Sequence, residues 1–149
     1  MRTWFSSKVG RLVRPNRDPR PEPPNEYGFW VSDAEHVEWD FSAAGIRRSV
    51  EESLDRLGLE HLDIALLHDP DDHAEQARGE AYPELERMRD EGLIGAIGLG
   101  MNQWELPLRF VEQTDIDIVM IAGRFTLAEQ AALPLLEAER SAARYRLAA

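Results

Sequence analysis

Three short apolar runs, each followed by a segment of helical length, restrict what this chain can fold into. Leu62–Leu67 (LDIALL), Ile94–Leu99 (IGAIGL) and Ile116–Ala122 (IDIVMIA) are nearly continuous in apolar residues. A strand covered on both faces reads this way, whereas a half-exposed antiparallel strand alternates. Residues 3–9 read as a further short strand ending at Lys8-Val9-Gly10. Ser42 is a suitable N-cap for a helix to about Leu57, with Gly58 placed to take the left-handed residue after its end. Ile46, Val50, Leu54 and Leu57 form its apolar face. Further helices are expected over about 75–91 (Ala81, Leu85 and Met88 inward, Gly92 as stop), 104–113 (Leu108 and Val111 inward) and 128–140. Pro15, Pro19, Pro21, Pro23 and Pro24 predict a loop over 14–26, because proline removes amide donors and fixes φ. The aromatic-rich residues 27–41 read as a packed loop.

The order is therefore β, long loop, αβαβαβα, which implies a parallel sheet. Lys8, His68, Asn102 and Arg124 fall at or just past the C-terminal ends of successive strands. In an α/β barrel those ends converge on one face, where the active site is built. Gly98-Leu99-Gly100 lacks the third glycine and the placement of a dinucleotide fingerprint, which counts against a doubly wound sheet. The expected fold class is α/β, a partial (β/α)8 TIM barrel with about four of its eight strands, since 149 residues fall short of the roughly 250 typical of a closed barrel.

Charge and composition narrow the partners. A net charge of −11 argues against nucleic acid, whose binders present a basic face to phosphates. Arg11, Arg14, Arg17 and Arg20 cluster locally and read as a solvated, proline-rich loop. There is no cysteine, which excludes disulfides, thiolate metal sites and thiol nucleophiles and suits a reducing compartment. No apolar run approaches the roughly 20 residues needed to cross a bilayer, and the N-terminus lacks the apolar core of a signal peptide. A cytoplasmic location without membrane attachment is the expectation.

The chain resembles the aldo-keto reductase family over about residues 3–139. The resemblance rests on Ser7-Lys8-Val9-Gly10, on Asp40-Phe41-Ser42 and on the highly specific block SVEESLDRLGLEHLDIALLHDP from Ser49 to Pro70. It continues through Leu85 to Trp104, which contains EGLIGAIGLGMNQW. GMNQW and Ile121–Leu127 (IAGRFTL) are most similar to the branch holding the aldose, L-fucose and L-galactose dehydrogenases and pyridoxal dehydrogenase. Residues 1–140 then form a partial aldo-keto reductase domain, and 141–149 a tail that does not match.

The resemblance implies hydride transfer between NAD or NADP and a small-molecule carbonyl or sugar, in this branch oxidation of a sugar at the anomeric carbon to a lactone. It gives Lys8 the role of the lysine that stabilises a tyrosine phenolate, and His68 that of the histidine bonded to the substrate oxygen. Asn102 falls where the family binds the nicotinamide carboxamide, although Gly100-Met101 replaces the commoner serine. No metal is implied. The family's tyrosine and aspartate belong to elements before the lysine strand, and Tyr27, Tyr82 and Tyr145 are not at the matching position. A glutamine often found near the nicotinamide is replaced around Ala122. The chain is accordingly expected to be an incomplete, catalytically inactive stretch, with possible self-association through exposed sheet edges.

Plainer readings compete at each position. His68 could be a structural histidine at a strand end, Lys8 an ordinary strand-end lysine, and Asn102 a cap for the next helix. His36, His61 and His73 have the context of surface or loop groups. His68-Asp69-Pro70-Asp71-Asp72-His73 mimics a metal cluster but reads better as a solvated acidic loop. Arg124 is expected in an ion pair, and Trp30, Trp39 and Trp104 in packing. Two other functional classes stand beside the oxidoreductase: a non-catalytic remnant serving as an interaction module, and, more weakly, a metal-dependent hydrolase built on the acidic loop.

Overall fold

The computed structural model describes residues 3–15 and 35–142. The chain enters through β1 (Ser6–Val9), then forms β2 (Arg11–Pro15) and β3 (Glu35–Trp39) before α1 (Ala43–Leu57). β4 (Leu62–His68) leads to a 3-10 turn (Asp71–His73), α2 (Ala74–Gln76), a π-turn (Ala77–Ala81) and α3 (Tyr82–Asp90). β5 (Ile94–Met101), α4 (Glu105–Gln113), β6 (Ile118–Ile121) and α5 (Leu133–Ala142) complete the order.

β1, β4, β5 and β6 form one parallel sheet in that order. Side chains alternate between faces along a strand, so directly paired residues of parallel strands share a face. Val9, Ala65, Leu67, Ile97, Leu99, Met101 and Val119 fall on one face and join Ile46, Val50, Leu85, Met88, Phe110 and Val111 of the helices in a single apolar core. The opposite face carries Lys8, Ile64, Leu66, His68, Ala96, Gly98, Gly100, Ile118 and Met120. Ile64, Ala96, Ile118 and Met120 on that face remain half-exposed. This is an α/β half-barrel, helices outside and a concave inner face within, in agreement with the expected class.

Polar contacts seat the first strand on α1. Ser7 Oγ donates to Ser53 Oγ at 3.2 Å, and the Gly10 amide donates to Ser49 Oγ at 3.3 Å. Buried Asp63 accepts the Phe5 amide at 2.9 Å. Ser42 caps α1 by accepting from the Gly45 amide at 3.0 Å, and Gly58 takes φ 65° beyond its end, as the sequence predicts. Gly92 stops α3 in the same way with φ 79°.

Three elements differ from expectation. Residues 11–15 and 35–39 are not loop but an antiparallel pair, with Arg11 opposite Trp39 and Val13 opposite Val37. Pro15 sits at the last position of β2, where a missing amide costs the ladder little. Pro19, Pro21, Pro23 and Pro24, together with Arg17, Arg20, Tyr27 and Trp30, lie outside the described residues. The helix expected over 75–91 contains a π-turn because Pro83 lacks an amide for the carbonyl four residues back, and a widened turn accommodates its ring. The last helix starts at Leu133 rather than Ala128 because Thr126 Oγ1 accepts from the Ala128 and Glu129 amides at 3.2 and 3.0 Å, holding the chain in a turn. Pro134 then occupies the first helical turn, where proline is tolerated. α5 runs through 141–142, and the rest of the expected tail lies outside the described residues.

Close approach of β6 to β5 depends on Gly98: a Cβ there would stand 2.2 Å from the Ile118 carbonyl oxygen. Gly98→Ala is expected to destabilise the fold by about 3 kcal/mol, at the upper end of overpacking costs. Gly79→Ala, whose Cβ meets nothing within 4 Å, is expected to stabilise it by about 0.5–1 kcal/mol. Urea unfolding of both variants checks the contrast. Glu139 on α5 is 5% exposed, and its Oε1 has no hydrogen-bond partner among the described residues. Burial pushes its carboxyl up to about 7. Because the folded state then holds the proton more tightly than the unfolded state, stability is full below about pH 4.5 and falls as pH rises through 7. Glu139→Gln is expected to raise the melting temperature at pH 8 and leave it unchanged near pH 4, read by thermal unfolding at both values.

Candidate active site

The parallel sheet brings the C-terminal ends of β1, β4, β5 and β6 to one rim. A cleft of about 330 Å³ opens there, lined by Lys8, Arg11, His68, Asp69, Met101, Asn102, Met120 and Ala122. Lys8, His68 and Asn102, the three residues singled out from sequence, thus meet at one site. Arg124 does not line it; its Nε donates to the Asn102 backbone carbonyl at 2.8 Å and braces that turn. The expected ion pair of Arg124 is not found among the described residues.

The lysine reaches the cleft because β5, the second strand over, is bare at Gly100. Lys8 pairs with Leu66 on β4, and its Cε would lie 3.0 Å from a Cβ at Gly100 on β5. The methylene stem therefore passes across β4 over a glycine. A larger residue at 100 would push it aside.

His68 ends β4, paired with Gly100, and its side chain is 17% exposed. Burial, followed by the charges of Arg11 and Lys8, lowers its pKa to about 4, against a smaller opposing effect of Asp69. The ring is neutral near pH 7, with one nitrogen donating and the other accepting. Its Nε2 stands 3.6 Å from Asp69 Oδ2, longer than a hydrogen bond.

Asp69 and Arg11 are the site residues that the sequence reading missed. Asp69 adopts φ 42°, the one positive φ outside glycine among the described residues. A left-handed backbone costs an L-residue roughly 1–2 kcal/mol, least for Asp and Asn. Its amide donates to the Gly100 carbonyl at 3.1 Å, and its carboxylate accepts Arg11 Nη2 at 2.6 Å. The guanidinium lies 3.9 Å over the Trp39 ring. Arg11 was hidden in a cluster that read as solvated loop, yet both described members of that cluster are paired: Arg14 Nη1 lies 3.0 Å from Glu52 Oε2. The apolar pair Leu12-Val13 between Arg11 and Arg14 was the available signal, and Leu12 is 2% exposed.

The acidic segment after His68 does not gather into a metal site; no group of three or more His, Asp or Glu suited to a metal ion occurs among the described residues. His73 instead stacks on Trp39, ring centroids 6.0 Å apart, and packs on Phe41 at 5.4 Å, half-buried in the turn after β4. His73 and Trp39, with Arg11, Asp69, Asn102 and Gln103, line a neighbouring cleft of about 350 Å³. His61 Nδ1 lies 2.8 Å from the Gly92 carbonyl oxygen. Asn102 is exposed and does not occupy the N-cap position of α4, which is Trp104. Tyr82 is buried in the core, where its hydroxyl accepts the Asp115 amide at 2.9 Å and burial pushes it up to about 12. It takes no part in the cleft. Tyr27 and Tyr145 lie outside the described residues. No helix among the described residues is long and apolar enough to cross a membrane.

Comparison with known proteins agrees with this architecture. The sequence model of the Aldo/keto reductase family matches residues 13–140, a span that begins after Lys8. D-threo-aldose 1-dehydrogenase of a Pseudomonas species is 45% identical over 129 residues, covering 85% of this chain and 39% of that protein. Pyridoxal 4-dehydrogenase of Microbacterium luteolum is 32% identical over 145 residues, covering 87% of this chain and 42% of its own length. The chain therefore spans about two fifths of the length of these relatives. In fold it superposes on an aldo-keto reductase from Bacillus halodurans with a TM-score of 0.69 at 18% identity, over 96% of this chain and 41% of the other. Four parallel strands in barrel order, a cleft at their C-terminal rim and a family match over most of the sequence lead to one conclusion: this chain belongs to the aldo/keto reductase family.

Proposed function

We propose that this chain supplies the lysine and histidine portion of an NAD(P)-dependent oxidoreductase site for a sugar or small carbonyl compound, in the manner of an aldose 1-dehydrogenase. The observation that carries the reading is the meeting of Lys8, His68 and Asn102 at one cleft on the strand-end rim. The Pseudomonas relative, a D-threo-aldose dehydrogenase by name, supports the substrate class and the direction of reaction. A cysteine-free chain suits a cytoplasmic setting.

The cleft fits one end of the cofactor. A volume of about 330 Å³ is at the low end of small-molecule sites, enough for a nicotinamide or a small carbonyl group and too small for a whole dinucleotide. Asn102 offers an exposed amide beside Met120 and Ala122, and would hold the carboxamide through its donor and acceptor. A bound nicotinamide supplies or accepts the hydride. The chain's own groups do the rest of the positioning. Neutral His68 donates to the substrate oxygen and orients the carbonyl, and its low pKa keeps it from becoming an imidazolium in the working range. Lys8 places a positive charge where negative charge develops on oxygen. Tyr82 is committed elsewhere, so no described residue of this chain serves as the phenolic proton donor.

A chimera tests the proposal. This chain is exchanged for the matching segment of the Pseudomonas D-threo-aldose 1-dehydrogenase, and NAD(P)-dependent aldose oxidation is measured. The chimera is expected to turn over, and Lys8→Met or His68→Gln to lower kcat about 10²–10⁴-fold, the usual loss for a group aiding proton transfer. The 149-residue chain alone is expected to show no turnover. Full activity in a folded chimera carrying both substitutions would rule the assignment out.

A further inference from the structure

The turn that ends β4 is held from two sides, and both holds come from other strands. The Asp69 amide is fixed by the Gly100 carbonyl of β5 at 3.1 Å, and its carboxylate by Arg11 of β2 at 2.6 Å. Arg11 is itself confined. It lies opposite Trp39 in the β2–β3 register with its guanidinium 3.9 Å over that ring, and its side chain is 12% exposed. The neighbouring Gly10 is pinned by two hydrogen bonds, accepting from the Asp40 amide at 3.0 Å and donating to Ser49 Oγ. β2 and β3 are the one pair of described strands outside the strand–helix alternation. Through Arg11 this pair reaches the cleft.

We propose that Arg11 is a positioning residue for His68: its grip on Asp69 fixes the turn leaving β4 and so fixes how the imidazole stands in the cleft. The catalytic consequence rests on the oxidoreductase reading; the coupling itself is a property of the chain. Lys8, Arg11 and Asp69 are the charged groups that act on the ring. Arg11 occupies the carboxylate that lies 3.6 Å from Nε2, so that carboxylate is not left to draw a second proton onto the imidazole. An imidazolium has two donors and no acceptor and would hold a substrate oxygen differently. Lysine in place of Arg11 keeps the charge but loses the planar fork and its stacking on Trp39.

The test follows the His68 ring in the 149-residue chain by nitrogen-edited proton NMR across pH, with amide spectra confirming the fold. Arg11→Met is expected to raise the His68 titration midpoint by about one unit or more, a tenfold gain in proton affinity. Arg11→Lys is expected to recover most of that shift while leaving the Asp69 amide resonance displaced. If Arg11→Met does not fold, Arg11→Gln carries the same expectation, since it keeps a donor for Asp69 without the charge. A midpoint that stays within about 0.3 units in a folded, charge-removed variant overturns the proposal. In the chimera described above, Arg11→Met is expected to lower kcat about tenfold and to move the acid limb of the pH profile upward, with partial rescue by Arg11→Lys. An active chimera indifferent to Arg11→Met also overturns it. A chimera without activity sinks the oxidoreductase reading instead, and the NMR result still decides this one.

Discussion

Space beside β5, more than any charge, sets the geometry of this molecule. Gly98 and Gly100 present no side chain on the inner face of the sheet. The first lets the carbonyl backbone of β6 come within what would be 2.2 Å of a Cβ, and the second leaves a path for the Lys8 stem. Both glycines lie on the face opposite the helices, where close backbone approach is the alternative to side-chain packing. Every group in the cleft is placed relative to that bare strip. Gly100 pairs with Met120 on one side and His68 on the other, so a gap one residue wide separates a thioether from an imidazole.

The helix side is ordered by a different kind of contact. Arg47 on α1 reaches Glu84 on α3 at 2.6 Å and Glu91 at 2.8 Å, while Arg87 pairs with the same Glu84. Glu84 is 4% exposed, and a carboxylate so buried needs partners on both oxygens. Arg89 does the equivalent at the other end of α3, donating to Asp117 at 2.9 Å, where the Ile97 amide shares the same oxygen. The two ends of α3 are thereby tied to α1 and to the start of β6. Among the described residues, the strand ends at the rim are left without such ties, apart from Asp69.

Much of this was legible in the sequence, for reasons tied to particular residues. The runs at 62–67 and 94–99 gave buried strands because both of their faces are covered or inward-turned, and Ser42 and Gly58 marked α1 through local hydrogen-bonding and backbone preferences that need no tertiary context. Lys8, His68 and Asn102 could be grouped because strand ends in a parallel barrel converge. The β2–β3 pair was not legible, because its stabilisation is cross-strand: Trp39 has no local reason to be extended until Arg11 lies opposite it. Asp69 read as one of several acids in a row, and its partner is 58 residues away. The late start of α5 depended on a threonine side chain competing for amides, which an alanine-rich stretch conceals.

The left-handed backbone at Asp69 narrows the mutational routes open to the chain. Only glycine, asparagine and aspartate enter that conformation readily. Of these, aspartate alone balances a guanidinium. Drift at position 69 is therefore tied to drift at position 11, two sites with no sequence proximity, and a lineage that relinquished one would be released from keeping the other. The two positions would then be expected to change together, which would tell other chains carrying this latch from those that end the same strand with a freely exchangeable turn.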